Sequence, residues 1–134
     1  MISGARIVVT GGAGFISSHI IDRLVDANRI VIYDNMKRNA LRFTSFKDHK
    51  NVTVVQGDVL DAARLDEVMA GADICIHAAA IAGIYSVGDS MTRTMKVNLL
   101  GCYNALESCV KHKVERFMDF STSEIYGPYS YRST

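Results

Sequence analysis

The 134-residue sequence predicts an α/β domain with a doubly wound parallel sheet and helices on both faces. Three observations carry that prediction. Short apolar runs alternate with stretches of helical periodicity along the chain. A glycine-rich turn, Gly11-Gly12-Ala13-Gly14, joins the first apolar run to the first helical stretch. An acidic residue, Asp34, closes the second apolar run. Right-handed crossovers, with a glycine turn after strand one, favour about five strands in the order 3-2-1-4-5.

The elements follow in order. Residues 6–9 read as a buried strand. Phe15, Ile16, Ile20, Ile21, Leu24 and Val25 recur at helical spacing and predict a helix of about three turns. His19 on its border is read as structural or solvent-facing. Residues 30–33 form the second strand, ending at Asp34. Residues 35–50 are polar and mixed, with a loop and a weak helix around 41–46. Residues 52–55 form the third strand, which closes at Gln56-Gly57-Asp58. Asp61 caps a short helix carrying Leu65, Val68 and Met69 on one face, and Gly71 lies just past its end.

Residues 74–76 are the fourth strand, and residues 78–88 a loop of small residues. A long helix is expected from about residue 91 to 110. Its core stripe is expected to be Met95, Leu99, Cys102, Tyr103, Leu106 and Cys109. Val97 and Leu100 fall outside that stripe and hint at a second covered face, met either by another part of the fold or by a second copy. Residues 116–120 are the fifth strand, and residues 121–127 its exit.

The bulk numbers narrow the function classes. A chain of this length suits one domain with a single core. With 49% hydrophobic and 22% charged residues, the balance is that of a soluble globular protein. A formal charge of +1 gives no electrostatic footprint for nucleic acid or an anionic membrane. The three cysteines, Cys75, Cys102 and Cys109, have no C-x-x-C spacing, so reduced thiols are expected and a metal site is not. No secretory signal is seen, and the apolar run over residues 74–84 is too short to span a bilayer. A cytoplasmic setting is therefore expected.

The candidate site starts at the glycine turn. Glycine permits positive φ and lets a phosphate approach without meeting a Cβ, while the helix behind it offers unpaired N–H groups and a positive dipole end. Asp34 lies at the strand-two end, about twenty residues on, where a carboxylate accepts hydrogen bonds from both hydroxyls of an adenosine ribose. It would repel a 2′-phosphate, which favours NAD over NADP, although Lys37 and Arg38 soften that preference. Asp58 also follows a strand; it reads equally as an acceptor for the adenine amino group or as a simple turn aspartate. Ser121-Thr122-Ser123-Glu124 leaves strand five at the sheet end where such folds bind ligands, and hydroxyls with an acid there orient a substrate or move protons. A polar loop with a helix cap explains the same composition.

Thr10-Gly11-Gly12-Ala13-Gly14-Phe15-Ile16, Tyr33-Asp34-Asn35, Gly57-Asp58-Val59, His77-Ala78-Ala79-Ala80, Val97-Asn98 and Ser121 to Gly127 occur in that order. Together they resemble the extended short-chain dehydrogenase/reductase family, the NAD-dependent nucleotide-sugar epimerases and dehydratases with a Rossmann-like fold. The resemblance spans essentially the whole chain. It implies that Gly11, Gly12, Ala13, Gly14, Phe15 and Ile16 hold the pyrophosphate, that Asp34 and Asn35 meet the ribose, and that Asp58 and Val59 meet the adenine. Ala78, Ala79 and Ala80 would wall the cofactor, with Asn98 and Ser121 beside it. Ser123 matches the hydroxyl that binds the substrate's reacting hydroxyl, and Glu124 the acid that some members place next to it. The implied chemistry is a transient oxidation: a tyrosinate takes the hydroxyl proton, hydride passes to NAD, the keto sugar reacts, and hydride returns. The implied partner is a nucleotide sugar, with a homodimer as one explanation of the second apolar helix face.

Two departures from the family pattern stand out. Ser17 takes the third glycine position, where glycine lets helix and strand pack closely. The family's catalytic Tyr-x-x-x-Lys after strand five has no counterpart in these 134 residues. The only literal match, Tyr33 to Lys37, lies on the adenosine side and is a decoy. Residues 1–134 are thus expected to be an incomplete dinucleotide-binding domain, cut after strand five and inactive alone. The other readings are an NAD-binding module without chemistry, or a chain completed by a partner subunit.

Overall fold

The computed structural model describes residues 2–122 and 125–127. The chain runs β1 (Arg6–Thr10), α1 (Phe15–Leu24), β2 (Arg29–Asp34), a 3₁₀ turn (Leu41–Phe43), β3 (Val52–Gln56), α2 (Ala62–Met69) and β4 (Ile74–His77). Then come α3 (Ile84–Asp89), α4 (Met91–Met95), a π-helical turn (Lys96–Leu100), α5 (Gly101–Lys111) and β5 (Arg116–Asp119). All strand pairs are parallel and the order is β3-β2-β1-β4-β5, as the sequence predicts.

Strand alternation sends the apolar side chains into two layers. On one face Ile7, Val9, Ile30, Ile32, Ile74 and Ile76 pack with Ile21 and Val25 of the α1 segment and with Leu41 and Phe46. On the other, Val8, Val31, Tyr33 and Cys75 pack under Leu65, Val68 and Met69 of α2 and Ala105 and Cys109 of α5. Asp61 caps α2 by accepting from the Arg64 N–H at 3.0 Å, and Gly71 takes φ +71° just beyond it. No helix among the described residues is long and apolar enough to cross a membrane.

Two expectations are corrected. Part of the predicted loop over residues 78–88 is helical, because α3 begins at Ile84. The long helix is present without a break from Met91 to Lys111, as α4, the π-helical turn and α5, but its buried stripe is different. Val97, Gly101, Ala105, Ser108 and Cys109 are buried, whereas Met95, Leu99, Tyr103 and Leu106 are exposed and Cys102 is half-buried. The physical reason is close approach. A Cβ on Gly101 would lie 2.5 Å from Val59 Cγ2, so where α5 begins the side nearest the core has no room for a large residue.

Candidate functional site

The C-terminal ends of β1, β2, β4 and β5 lie side by side, with Tyr33, Thr10, His77 and Asp119 in one lateral row. The glycine turn rises from this edge. Gly11 sits at φ +68°, its N–H donates to the Tyr33 carbonyl at 2.8 Å, and a Cβ would meet the Ala78 and Ala79 backbone at 2.7 Å. The turn is therefore wedged between β2 and the segment after β4, and both its conformation and its contacts require glycine.

Helix α1 starts at Phe15 with Gly14 as its cap residue. No side chain caps it and no acid lies in its first turn. Its leading N–H groups and positive dipole end are left for an anion. Phe15 and Ile16 are exposed here, at 74% and 58%. Ser17 is buried, and the Ser18 hydroxyl donates to the Phe15 carbonyl at 2.7 Å.

Asp34 is fixed against this turn. Its Oδ2 accepts from the Ala13 N–H at 3.0 Å and its Oδ1 from the Met36 N–H at 2.8 Å. Burial raises its pKa, and the two N–H donors oppose that shift. Each carboxylate oxygen keeps a lone pair beyond these bonds, so the group can still accept from a ligand hydroxyl. Asn35 is exposed, and its Oδ1 accepts from the Lys37 N–H at 3.1 Å.

Tyr33 is fully buried, and its hydroxyl donates to the Asp58 carbonyl at 2.9 Å. Burial first, then Asp61 and Asp58, pushes its pKa up to about 12. A phenol so placed is a fastener for the β3 exit, in keeping with reading the Tyr33 to Lys37 match as a decoy. Asp58 accepts from the Leu60 N–H at 3.1 Å and lies 3.7 Å from the Arg93 guanidinium. The Val59 side chain is buried beneath α5, and its carbonyl accepts from Asn104 Nδ2 at 2.9 Å.

The wall after β4 begins with the Ala78 N–H on the Thr10 carbonyl at 3.0 Å. Ala78 and Ala79 are half-buried and Ala80 exposed. Asn98 clamps the following residue from the π-helical turn: Ile81 N–H donates to Asn98 Oδ1 at 2.8 Å, and Asn98 Nδ2 donates to the Ile81 carbonyl at 3.1 Å. Ser121 is exposed beyond β5, while Ser123 and Glu124 lie outside the described residues.

Sequence reasoning missed the buried pair at the centre of this edge. Thr10 Oγ1 and His77 Nδ1 are 2.7 Å apart, and the imidazole stacks on Phe117 with centroids 6.1 Å apart. Burial lowers the His77 pKa against a smaller opposing pull from Asp119, so the ring is neutral at pH 7. The signal was available as two polar residues closing otherwise apolar strands that pair in register.

An uncapped helix start behind a glycine turn, with a carboxylate anchored at the end of the neighbouring strand, defines the dinucleotide-binding class of α/β domains. Comparison with known proteins makes this specific. The profile of the 3-beta hydroxysteroid dehydrogenase/isomerase family matches residues 8–134, and the chain belongs to that family. It is 31% identical over 131 residues to a dTDP-glucose 4,6-dehydratase of Streptomyces niveus, covering 91% of this chain and 39% of that protein.

Among solved structures, a UDP-N-acetylglucosamine 4-epimerase of Methanobrevibacter ruminantium M1, in complex with UDP-N-acetylmuramic acid, is similar with a TM-score of 0.88 at 29% identity. The match covers 94% of this chain and 40% of that one. A UDP-glucose 4-epimerase of Bifidobacterium longum, in complex with NAD+ and UDP, gives a TM-score of 0.81 at 27% identity, over 91% of this chain and 38% of that one. The chain thus spans about two fifths of the length of the relatives it matches.

Proposed function

We propose that this chain is the NAD-binding portion of an enzyme that acts on a nucleotide-linked sugar by transient hydride transfer. The observation that carries the reading is Asp34. Anchored to the Ala13 N–H at 3.0 Å, it fixes an acceptor beside the open N-terminus of α1. That pairing suits a diphosphate joined to a ribose with free hydroxyls, and a 2′-phosphate would face the carboxylate. The bound nicotinamide would accept and return the hydride.

The chain's own residues bind and orient. Gly11 to Ile16 receive the pyrophosphate, Asp34 and Asn35 the ribose, and Asp58 with Val59 the adenine. Ala78 to Ala80, held through the Asn98 clamp on Ile81, border the cofactor with Ser121. Ser123 would hold the substrate hydroxyl and Glu124 would supply an acid next to it. In the whole protein a tyrosine of the Tyr-x-x-x-Lys type would take the hydroxyl proton. The sugar-nucleotide enzymes among the relatives support that substrate class over a steroid. The outward row Leu99, Leu100, Tyr103, Leu106 and Val110 supports a covered face along the π-helical turn and α5, by a second copy or by further parts of the protein.

Calorimetric titration tests the reading. NAD+ should bind more tightly than NADP+, and Asp34→Asn should weaken NAD+ binding about tenfold or more while narrowing that difference. Equal or tighter binding of NADP+ to the unaltered protein would overturn the role given to Asp34.

A further inference from the structure

The row of strand ends holds a second constellation that the cofactor reading leaves unused. His77 on β4 and Asp119 on β5 are register partners, and Cys102 in the first turn of α5 lies above them. One donor atom from each residue lies within 4.8 Å of the other two. Cys102 Sγ is 3.9 Å from Asp119 Oδ1. Among the described residues this is the one group of three or more His, Cys, Asp or Glu side chains so placed.

We propose that His77, Cys102 and Asp119 form a binding site for a single Zn2+-class cation that ties β4, β5 and the start of α5 together. The donor set argues for the ion. An imidazole, a thiolate and a carboxylate together suit borderline first-row divalent metals, whereas Mg2+ and Ca2+ seek all-oxygen ligands. A neutral imidazole, one thiolate and one carboxylate balance the charge of the dication. Binding releases the Cys102 thiol proton to solvent.

The geometry is compatible with closure. Tetrahedral zinc places its donors roughly 3.2–3.8 Å apart, so a trio within 4.8 Å must contract by no more than about 1.5 Å. Cys102 is half-buried and Asp119 exposed, and both have room to turn, while His77 is buried and fixed. Three protein ligands leave a fourth position for water.

An independent observation is the support behind His77. Metal-binding histidines almost always engage their second ring nitrogen with a hydrogen-bond partner that sets tautomer and ring angle. Here the Thr10 hydroxyl lies 2.7 Å from Nδ1, and Phe117 stacks against the ring. With Nδ1–H donating to Thr10, Nε2 carries the lone pair that ligates. The expectation that these cysteines would have no metal role rested on their spacing in the sequence, and this site is assembled across β4, α5 and β5 instead.

The test is titration of the reduced full chain with Co2+, followed by optical spectroscopy and by competition with Zn2+. A thiolate-to-cobalt charge-transfer band should appear, and Zn2+ should abolish it while raising the melting temperature. Cys102→Ser should remove the band, and Cys109→Ala should keep it. Asp119→Asn should weaken affinity at least tenfold, and Thr10→Val, which touches no metal, about 10–100-fold.

Absence of the band, or a band that survives Cys102→Ser, would overturn the proposal. Because Asp119 is exposed, Asp119→Asn should fold even if Cys102→Ser does not; unchanged affinity in that variant, with an unaltered circular dichroism spectrum, would also overturn it. NAD+ titration of the same variants keeps this outcome separate from the fate of the cofactor reading.

Discussion

Helices α1 and α5 pack on opposite faces of the same sheet and solve the packing problem in opposite ways. Past its first turn, where Ser17 and Ser18 are buried, the α1 segment fills its side with large aliphatics: Ile21 and Val25 are buried against Ile7, Val9, Ile30 and Ile32. Helix α5 presents Gly101, Ala105, Ser108 and Cys109 inward and turns Tyr103, Leu106 and Val110 out. Apolar size therefore marks the buried side in the second half of the α1 segment and the exposed side of α5. A helix that approaches its neighbours closely has room only for small side chains, so its large ones are left for a surface outside the described fold.

The largest expected effect breaks the α1 side. Gly11→Val adds a branched side chain at φ +68°, where even a Cβ lies 2.7 Å from the Ala78 and Ala79 backbone. Strain and overpacking together should cost about 3 kcal/mol or more in urea unfolding, and NAD+ binding should be lost. The matching change on the other side is Gly101→Ala. Val59 must yield to a Cβ placed 2.5 Å from its Cγ2, a cost of about 1–3 kcal/mol that the better helix propensity of alanine reduces by about 1 kcal/mol. A Cβ at Gly88 would meet nothing within 4 Å, so Gly88→Ala should be neutral or stabilising by less than about 1 kcal/mol.

Ser17→Gly probes the start of α1. It restores the small residue of the dinucleotide turn at a buried position and should tighten NAD+ binding by less than tenfold, about 1.4 kcal/mol. Calorimetry that finds unchanged or weaker binding would refute it. On the outward side of α5, Leu106→Gln should change the stability of the isolated chain by no more than about 0.5 kcal/mol. If a second copy covers that face, the same variant should shift the oligomeric state measured by light scattering.

The smallest effect concerns the contact between α2 and α5. Hydrogen bonds first from Lys111 (2.7 Å) and then from His112 (3.0 Å) hold the Asp66 carboxyl below its usual range. A carboxyl lowered in the folded state contributes stability above its unfolded pKa, and that contribution disappears as pH falls through the folded value. Asp66→Asn should therefore flatten the acid limb of stability against pH, as urea unfolding across pH would show.

The strand order, the glycine turn and the cap at Asp61 were legible in the sequence because each rests on local chemistry. Periodicity shows which residues face together, glycine shows where φ turns positive, and a short acidic side chain shows where a helix starts. Asp34 was legible as an acceptor, since its place at a strand end follows from the apolar run before it. Its bond to the Ala13 N–H was not, because it crosses 21 residues.

Tertiary structure alone decided three things. It chose the small-residue stripe of α5 over the large one, because contact distance outranked hydrophobicity where Val59 meets Gly101. It pinned Tyr33 on the Asp58 carbonyl, which removes that phenol from acid–base chemistry at neutral pH. It also set Thr10, His77, Cys102 and Asp119 together at one sheet edge, from three strands and a helix far apart in the chain. Local patterns specify conformation and facing, whereas which distant side chains meet is fixed only when strands pair in register and helices settle on them.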